Sequence, residues 1–251
     1  TNFAPIKEQH LFYAPELSTS GLLPEDEAAH AIRVLRMKEG DPLWATDGLG
    51  RFYEGVIAMA GGGKHPQCAV DITTTTKWHR PWASAISIGV APTKNMDRIE
   101  WMVEKATELG VDAFHFLHCA NSERKVLKDE RLEKIAVSAT KQSHKAIKPA
   151  VHALQPLSQC LAADFEGDKF IAHCYDQLDI DGTSEKPWLY DVIDKQRPTF
   201  VLIGPEGDFS VEEVRQAQAA GFRSVHLGES RLRTETAALV AVQLMNMKKT
   251  H

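Results

Sequence analysis

The stretch VLIGPEGDFSVEEV (201–214) breaks an apolar run with Gly204, Pro205 and Gly207 and then turns into a patterned helix. A loop of this kind presents bare backbone N–H groups, and glycine lets a ligand lie directly against them. In α/β sheets such ligands collect beyond the carboxyl ends of the strands. A tight connection with no ligand is the alternative reading of this stretch taken alone. Ser210 and Glu213 have the S-x-x-E spacing of a capping box, which fixes the helix start and so the loop before it. A second loop, HLGESRLRTETAALVAVQLM (226–245), repeats the arrangement with Gly228 directly after a predicted strand. Thr234 is its candidate N-cap, with Glu235 well placed on the helix dipole. Arg231 and Arg233 enter from a short segment, a spacing that suits phosphate or another anion; an ion pair with Glu229 or Glu235 is the plainer alternative.

The familiar nucleotide motifs are absent: no G-x-x-x-x-G-K-[ST] occurs, and no G-x-G-x-x-G follows a predicted strand. GGGKH at 61–65 has the wrong spacing for phosphate and reads as a hairpin turn. The eleven histidines form neither H-E-x-x-H nor a zinc-finger spacing, so no metal site is expected.

These loops need strands before them and helices behind them. Apolar and β-branched runs at 9–13, 42–46, 51–58 and 67–75, with a helix from about Pro24 to Leu35, predict a small, mostly β domain. The composition shifts at TTTTKWHRPW (73–82), which puts the boundary near residue 78 and gives domains 1–77 and 78–251. Beyond it strands and helices alternate. Strand SAISIGV (84–90) precedes a helix over roughly 95–109 with Ile99, Met102, Val103, Ala106 and Leu109 on one face and Gly110 as its stop. A short strand near 113–117 comes next, then a helix carrying Leu132, Ile135, Ala136 and Ala139. Strands at 169–173, 199–203 and 223–227 follow, with helices from 210 and from about 235. This βαβ rhythm predicts an α/β domain with a mainly parallel sheet. AALVAVQLM is apolar nearly all round, so its helix is buried or forms a subunit interface.

Composition bounds the function. With 43% hydrophobic residues, no run long enough to span a bilayer and no signal-peptide pattern, the chain reads as a cytoplasmic globular protein without membrane association. Cys68, Cys119, Cys160 and Cys174 are scattered and form no C-x-x-C, so reduced thiols are expected. A net charge of −5 argues against indiscriminate nucleic-acid binding but leaves room for a local basic face.

VLIGPEGDFSVEEV together with LGESRLRTETA resembles the paired C-terminal signatures of the small-subunit ribosomal RNA methyltransferase E family, the uridine-N3 methyltransferases of 16S RNA within the SPOUT superfamily. KNMDRIEWMVEKATELGV (94–111), ATKQSHKAIKPAV (139–151) and HAIRVLRMKEGD (30–41) resemble other blocks of that family, so the likeness runs nearly end to end. It implies an N-terminal PUA-like β-barrel domain that binds RNA and a C-terminal SPOUT domain tied in a deep trefoil knot. It further implies S-adenosylmethionine as cofactor, a homodimer, and 16S RNA within the small ribosomal subunit as partner. Periodicity alone leads instead to an unknotted doubly wound sheet.

Carried onto this sequence, the resemblance makes Ile203, Gly204, Pro205 and Gly207 the first cofactor loop and Leu227, Gly228, Leu232 and Arg233 the second, with Cys174 on a third wall. By their positions in the loops, Arg233 is the candidate to stabilise the anionic uracil oxygens and Glu206 a candidate proton acceptor near the methyl group; capping of the helix or pairing with an arginine is the alternative for Glu206. Arg33, Arg36, Lys94, Lys141, Lys145, Lys148 and Arg231 are the candidate RNA contacts, a solvated surface charge being the alternative for each taken alone. The sequence departs from the family pattern at Asp208, where the loop usually has glycine, and at Lys145, where arginine is common. Two rival functions stay open: a SPOUT methyltransferase acting on another base or on transfer RNA, and a non-catalytic RNA-binding ribosome-assembly factor.

Overall fold

The computed structural model describes residues 10–183 and 185–250. They fall into two compact units, one running to Arg80 and taking in Val137–Lys148, the other comprising Pro81–Ala136 and the chain from Pro149 onward.

The first unit contains β1 (Leu11–Tyr13), α1 (Leu17–Ser20), α2 (Glu25–Ala29), a π-helical turn (His30–Val34), β2 (Pro42–Thr46), β3 (Arg51–Gly61) and β4 (Gln67–Lys77). Residue 9 of the predicted first strand lies outside the described residues. The strands pair in the order β1-β2-β3-β4, with β1 parallel to β2 and the other pairs antiparallel. Among the described residues the sheet is therefore open, where the resemblance implies a closed barrel; β1, three residues long, offers too short a ladder to close one. Phe12, Leu17, Leu43, Tyr53, Ile57 and Cys68 are buried together beneath the helical segment. That segment ends at Arg36, whose φ of 57° is the left-handed stop usually given to glycine.

The second unit is a six-stranded sheet in which every pair is parallel. In chain order it comprises β5 (Ile86–Val90), α3 (Met96–Leu109), β6 (Ala113–His118), α4 (Asp129–Gln142), β7 (Ala150–Pro156), α5 (Leu157–Ala162), β8 (Asp168–Ala172), α6 (Gln177–Ile180), α7 (Leu189–Val192), β9 (Thr199–Ile203), α8 (Val211–Ala219), β10 (Arg223–Val225) and α9 (Thr234–Thr250). The last residues of α4 belong to the first unit. The strand order is β10-β8-β9-β5-β6-β7. β5 and β9 are buried along their whole length, as central strands covered on both faces should be. On one face Phe200 and Leu202 of β9 pack with Leu157 of α5 and Val214 and Ala217 of α8. On the other, α3 and α9 lie against each other, and α9 covers β5 and β9. Asn95 caps α3 by accepting from Asp97 N at 3.0 Å, and Gly110, at φ 109°, ends it. β7 is an edge strand with mostly exposed side chains, and so left no apolar run for the sequence to reveal.

The far end of α9 is fastened by Lys249, buried at 3% exposure. Its ammonium donates to Ser84 Oγ at 2.6 Å, to the carbonyl of Arg197 at 2.6 Å and to that of Asp194 at 3.3 Å. Burial pulls its pKa down to about 8 from 10.5. The unfolded chain therefore holds the proton through a window in which the folded chain has released it, and stability rises with pH from 8 to 10.5. Measured as the difference between wild type and Lys249→Met in urea denaturation, this rise is expected to reach about 3 kcal/mol across that window and to be absent below pH 7. A difference independent of pH would remove the buried ammonium as its cause.

Candidate functional site

Strands β10, β8 and β9 are neighbours, so the three loops leaving their carboxyl ends lie side by side, and Cys174 stands between the two glycine loops. Each loop is held by named bonds. Ser210 Oγ accepts from Glu213 N at 3.2 Å while Glu213 Oε2 accepts from Ser210 N at 2.8 Å, the full reciprocal cap. The other oxygen of Glu213 accepts from Ala120 N at 2.7 Å, which ties in the loop after β6. From that loop Asn121 Nδ2 donates to the carbonyls of Gly207 (3.3 Å) and Asp208 (3.0 Å). The loop after β10 is braced from outside, His226 N donating to Pro187 O at 3.1 Å and Leu189 N to His226 O at 3.0 Å.

The helix start after the second loop differs from expectation. Thr234 is already helical, and Ala237 N donates to the carbonyl of Arg233, which puts Arg233 at the capping position. The Thr234 hydroxyl instead donates to Gly204 O at 3.1 Å in a buried setting, linking the two glycine loops directly. Glu235 is buried as well, with Arg98 Nη1 3.6 Å from its Oε1.

The glycines serve different needs. A Cβ on Gly204 would come within 3.0 Å of the ring and backbone nitrogen of Phe209, so glycine there answers to packing inside the loop rather than to bare backbone facing a ligand. Gly207 is tight against Asn121 in the same way, at 3.3 Å. Gly228 is the opposite case: its φ is 128°, and no protein atom lies within 4 Å of where its Cβ would be. Open space in front of backbone is therefore found at the second loop.

Ile203, Gly204 and Pro205 are buried, Leu227 and Leu232 are half-buried, and Glu206, Gly207, Gly228, Arg231 and Arg233 are exposed. Glu206 does not cap α8, since Ser210 and Glu213 do. Burial and the neighbouring Asp208 carboxylate push the Cys174 thiol up, which keeps it protonated near neutral pH and unsuited to act as a nucleophile. His173, buried beside it, donates to or accepts from Ser224 Oγ at 2.9 Å, and burial holds its pKa near 4, so its ring is neutral. The four cysteines are free thiols. Asn121 and Tyr175, whose hydroxyl donates to Phe209 O at 2.7 Å, are residues that sequence reasoning passed over, and Thr234 was read only as a cap. The position of Asn121 just after a strand was the available signal.

Of the expected RNA contacts, Arg33, Arg36, Lys141, Lys145 and Lys148 lie in the first unit and Lys94 and Arg231 in the second. Arg33 donates to Gly63 O at 2.5 Å and so braces the hairpin loop between β3 and β4. Lys141 Nζ is 2.6 Å from Glu27 Oε1, and exposed Lys94 is 3.3 Å from Glu123, so part of each charge is met within its own unit. Among the described residues no helix is long and apolar enough to cross a membrane.

Residues 80–246 match the family described as an RNA methyltransferase domain, and residues 23–71 match the one described as an RNA methyltransferase PUA domain. Ribosomal RNA small subunit methyltransferase E of Bacillus subtilis (strain 168) is 28% identical over 252 residues, covering 97% of this chain and 94% of its own. Among solved structures, a probable rRNA-methyltransferase from Porphyromonas gingivalis is 43% identical with a TM-score of 0.85, covering 96% of this chain and 98% of its own. Ribosomal RNA small subunit methyltransferase E from Neisseria gonorrhoeae, solved bound to S-adenosyl methionine, is 25% identical with a TM-score of 0.78 over the same shares of the two chains.

Proposed function

Because this chain belongs to the RNA methyltransferase family, of the ribosomal RNA small subunit methyltransferase E type, we propose that it transfers a methyl group from S-adenosylmethionine to N3 of one uridine in 16S ribosomal RNA. The observation that carries this reading is the junction of three loops at the carboxyl ends of β10, β8 and β9, with open space in front of Gly228. That space, in a loop that also carries half-buried Leu227 and Leu232, suits the flat adenine and ribose of the cofactor. The bound S-adenosylmethionine supplies an electrophilic methyl on a sulfonium.

Uracil N3 carries a proton that must leave before or during attack. The exposed Glu206 carboxylate, free of any capping duty, takes that proton in this reading. Arg233 lies exposed at the start of α9 and balances the negative charge that spreads onto the uracil oxygens. The remaining task is to hold N3 in line with the methyl. Glu206→Gln is expected to keep cofactor affinity while lowering turnover at least tenfold; full turnover would return the residue to solvent.

The same reading extends to assembly and place. Arg33, Arg36 and Lys145 of the PUA-like unit contact the RNA backbone, as does Arg231 of the other unit, and α9 joins two copies as a homodimer. In this reading the C-terminal part of the chain is tied in a deep trefoil knot, as the family resemblance implies. The enzyme works in the cytoplasm on the small ribosomal subunit.

Calorimetric titration with S-adenosylmethionine, followed by nucleotide mapping of methyl label after incubation with small subunits, free 16S RNA or transfer RNA, tests the proposal. Cofactor binding and one labelled uridine in 16S RNA are expected. Binding without transfer to any RNA favours the assembly factor; label on another base or on transfer RNA reassigns the substrate.

A further inference from the structure

Asp208 occupies a backbone conformation that an L residue adopts at a cost, with φ 63°. Its N–H closes a turn onto Pro205 O at 2.9 Å. Its carboxylate reaches across to the neighbouring strand's loop, where Oδ2 accepts from Cys174 N at 2.8 Å, while Oδ1 accepts from Phe209 N at 2.7 Å. Glycine would take this φ freely and would leave the Cys174 N–H as an unclaimed donor. With aspartate in place the local chemistry is inverted: the donor is consumed, and the half-buried carboxylate offers its remaining lone pairs instead.

Among the described residues no lysine or arginine forms an ion pair with it, although Lys186 lies near enough to feel its charge. Lys186 Nζ gives two of its three hydrogens to the carbonyls of His173 (2.6 Å) and Tyr175 (2.7 Å); burial lowers its pKa, and the nearby Asp208 carboxylate works against that. Arg231 acts on Cys174 from the second glycine loop. The carboxylate thus bridges the β8 and β9 loops, bonded to Phe209 N and to the backbone and side chain of Cys174, and still has lone pairs left over.

We infer that the Asp208 carboxylate is a specificity-determining contact that recognises positive charge on the cofactor, and that S-adenosylmethionine is preferred partly on this account. The inference rests on the reading of this site as the S-adenosylmethionine site. That molecule carries two cationic centres, the α-ammonium and the sulfonium. A charge-assisted contact of this kind in a half-buried position is worth roughly tenfold in affinity.

The test measures dissociation constants for S-adenosylmethionine, S-adenosylhomocysteine and 5′-methylthioadenosine, which lacks both cationic centres, on wild type, Asp208→Asn and Asp208→Gly. Asparagine keeps an acceptor for Cys174 N, and glycine keeps the loop conformation without any side chain. Both variants are expected to bind S-adenosylmethionine about tenfold more weakly and methylthioadenosine within about twofold of wild type. S-adenosylhomocysteine weakened alongside S-adenosylmethionine puts the contact on the ammonium; an unchanged value puts it on the sulfonium. A parallel loss for all three ligands means that Asp208 only shapes the loop and overturns the inference, as does an unchanged affinity for S-adenosylmethionine. If wild type itself binds no S-adenosylmethionine, the reading of the site has failed and not the role of Asp208 within it.

Discussion

Phe209→Ala is expected to lower folding stability by about 3–5 kcal/mol, the range for removing a fully buried aromatic side chain and leaving part of its cavity behind. Phe209 has no exposed surface and packs in the cluster with Phe200, Leu202, Val214 and Phe222. Its ring also fills the space that a side chain on Gly204 would need, and its backbone joins Asp208 on one side and the Tyr175 hydroxyl on the other. The loss should therefore appear twice, in the urea midpoint and in a weaker affinity for S-adenosylmethionine under conditions where the variant is folded. Phe209→Leu, which keeps much of the volume, should recover most of the stability. If the alanine variant unfolded as late as wild type, the loop would owe its shape to the capping box and Asn121 alone. The same geometry predicts that enlarging Gly204 harms the protein through packing whether or not a ligand is present, so substitution there cannot report on cofactor contact by itself.

Arg233→Ala is expected to reduce kcat by about 10²–10³-fold with the cofactor dissociation constant changed only a few-fold, because the guanidinium is assigned to charge that develops on the uracil during transfer. The backbone of Arg233 accepts from Ala237 N and stays fixed in the variant, so the helix start survives. Arg233→Lys should restore only part of the rate, since an ammonium keeps the charge but not the planar fork. Single-turnover kinetics with saturating cofactor on small-subunit substrate would read this directly. A loss confined to KM would move Arg233 from the transition state to RNA binding.

Much of this architecture can be read from residue types. Buried central strands such as TFVLI and ISIGV announce themselves because both faces are covered, and the S-x-x-E spacing at Ser210 and Glu213 foretells a cap that the structure contains in full. Gly110 marks the end of α3 for the same local reason. What escaped the sequence was set by distant partners. β7 lies at a sheet edge with solvent on its side chains, so it carries no apolar signature. Thr234 looks like a cap until the carbonyl of Gly204, thirty residues away in sequence, takes its hydroxyl. Gly204 itself looks like a ligand cradle until the ring of Phe209 is seen to occupy the place. Asp208 was legible as a departure from the family pattern, but its grip on Cys174 depended on β8 and β9 being neighbours.

The strand order also sets a schedule for the nascent chain. The floor of the site is shared by β8, β9 and β10, and the tie from Thr234 to Gly204 forms only once the start of α9 has been made, with Lys249 fastening the far end of that helix beside β5. These are contacts of long sequence separation, which form late and slowly. A nascent chain in which α9 has not yet been made thus has strands and a partial core but no complete cradle, so cofactor capture waits for that helix.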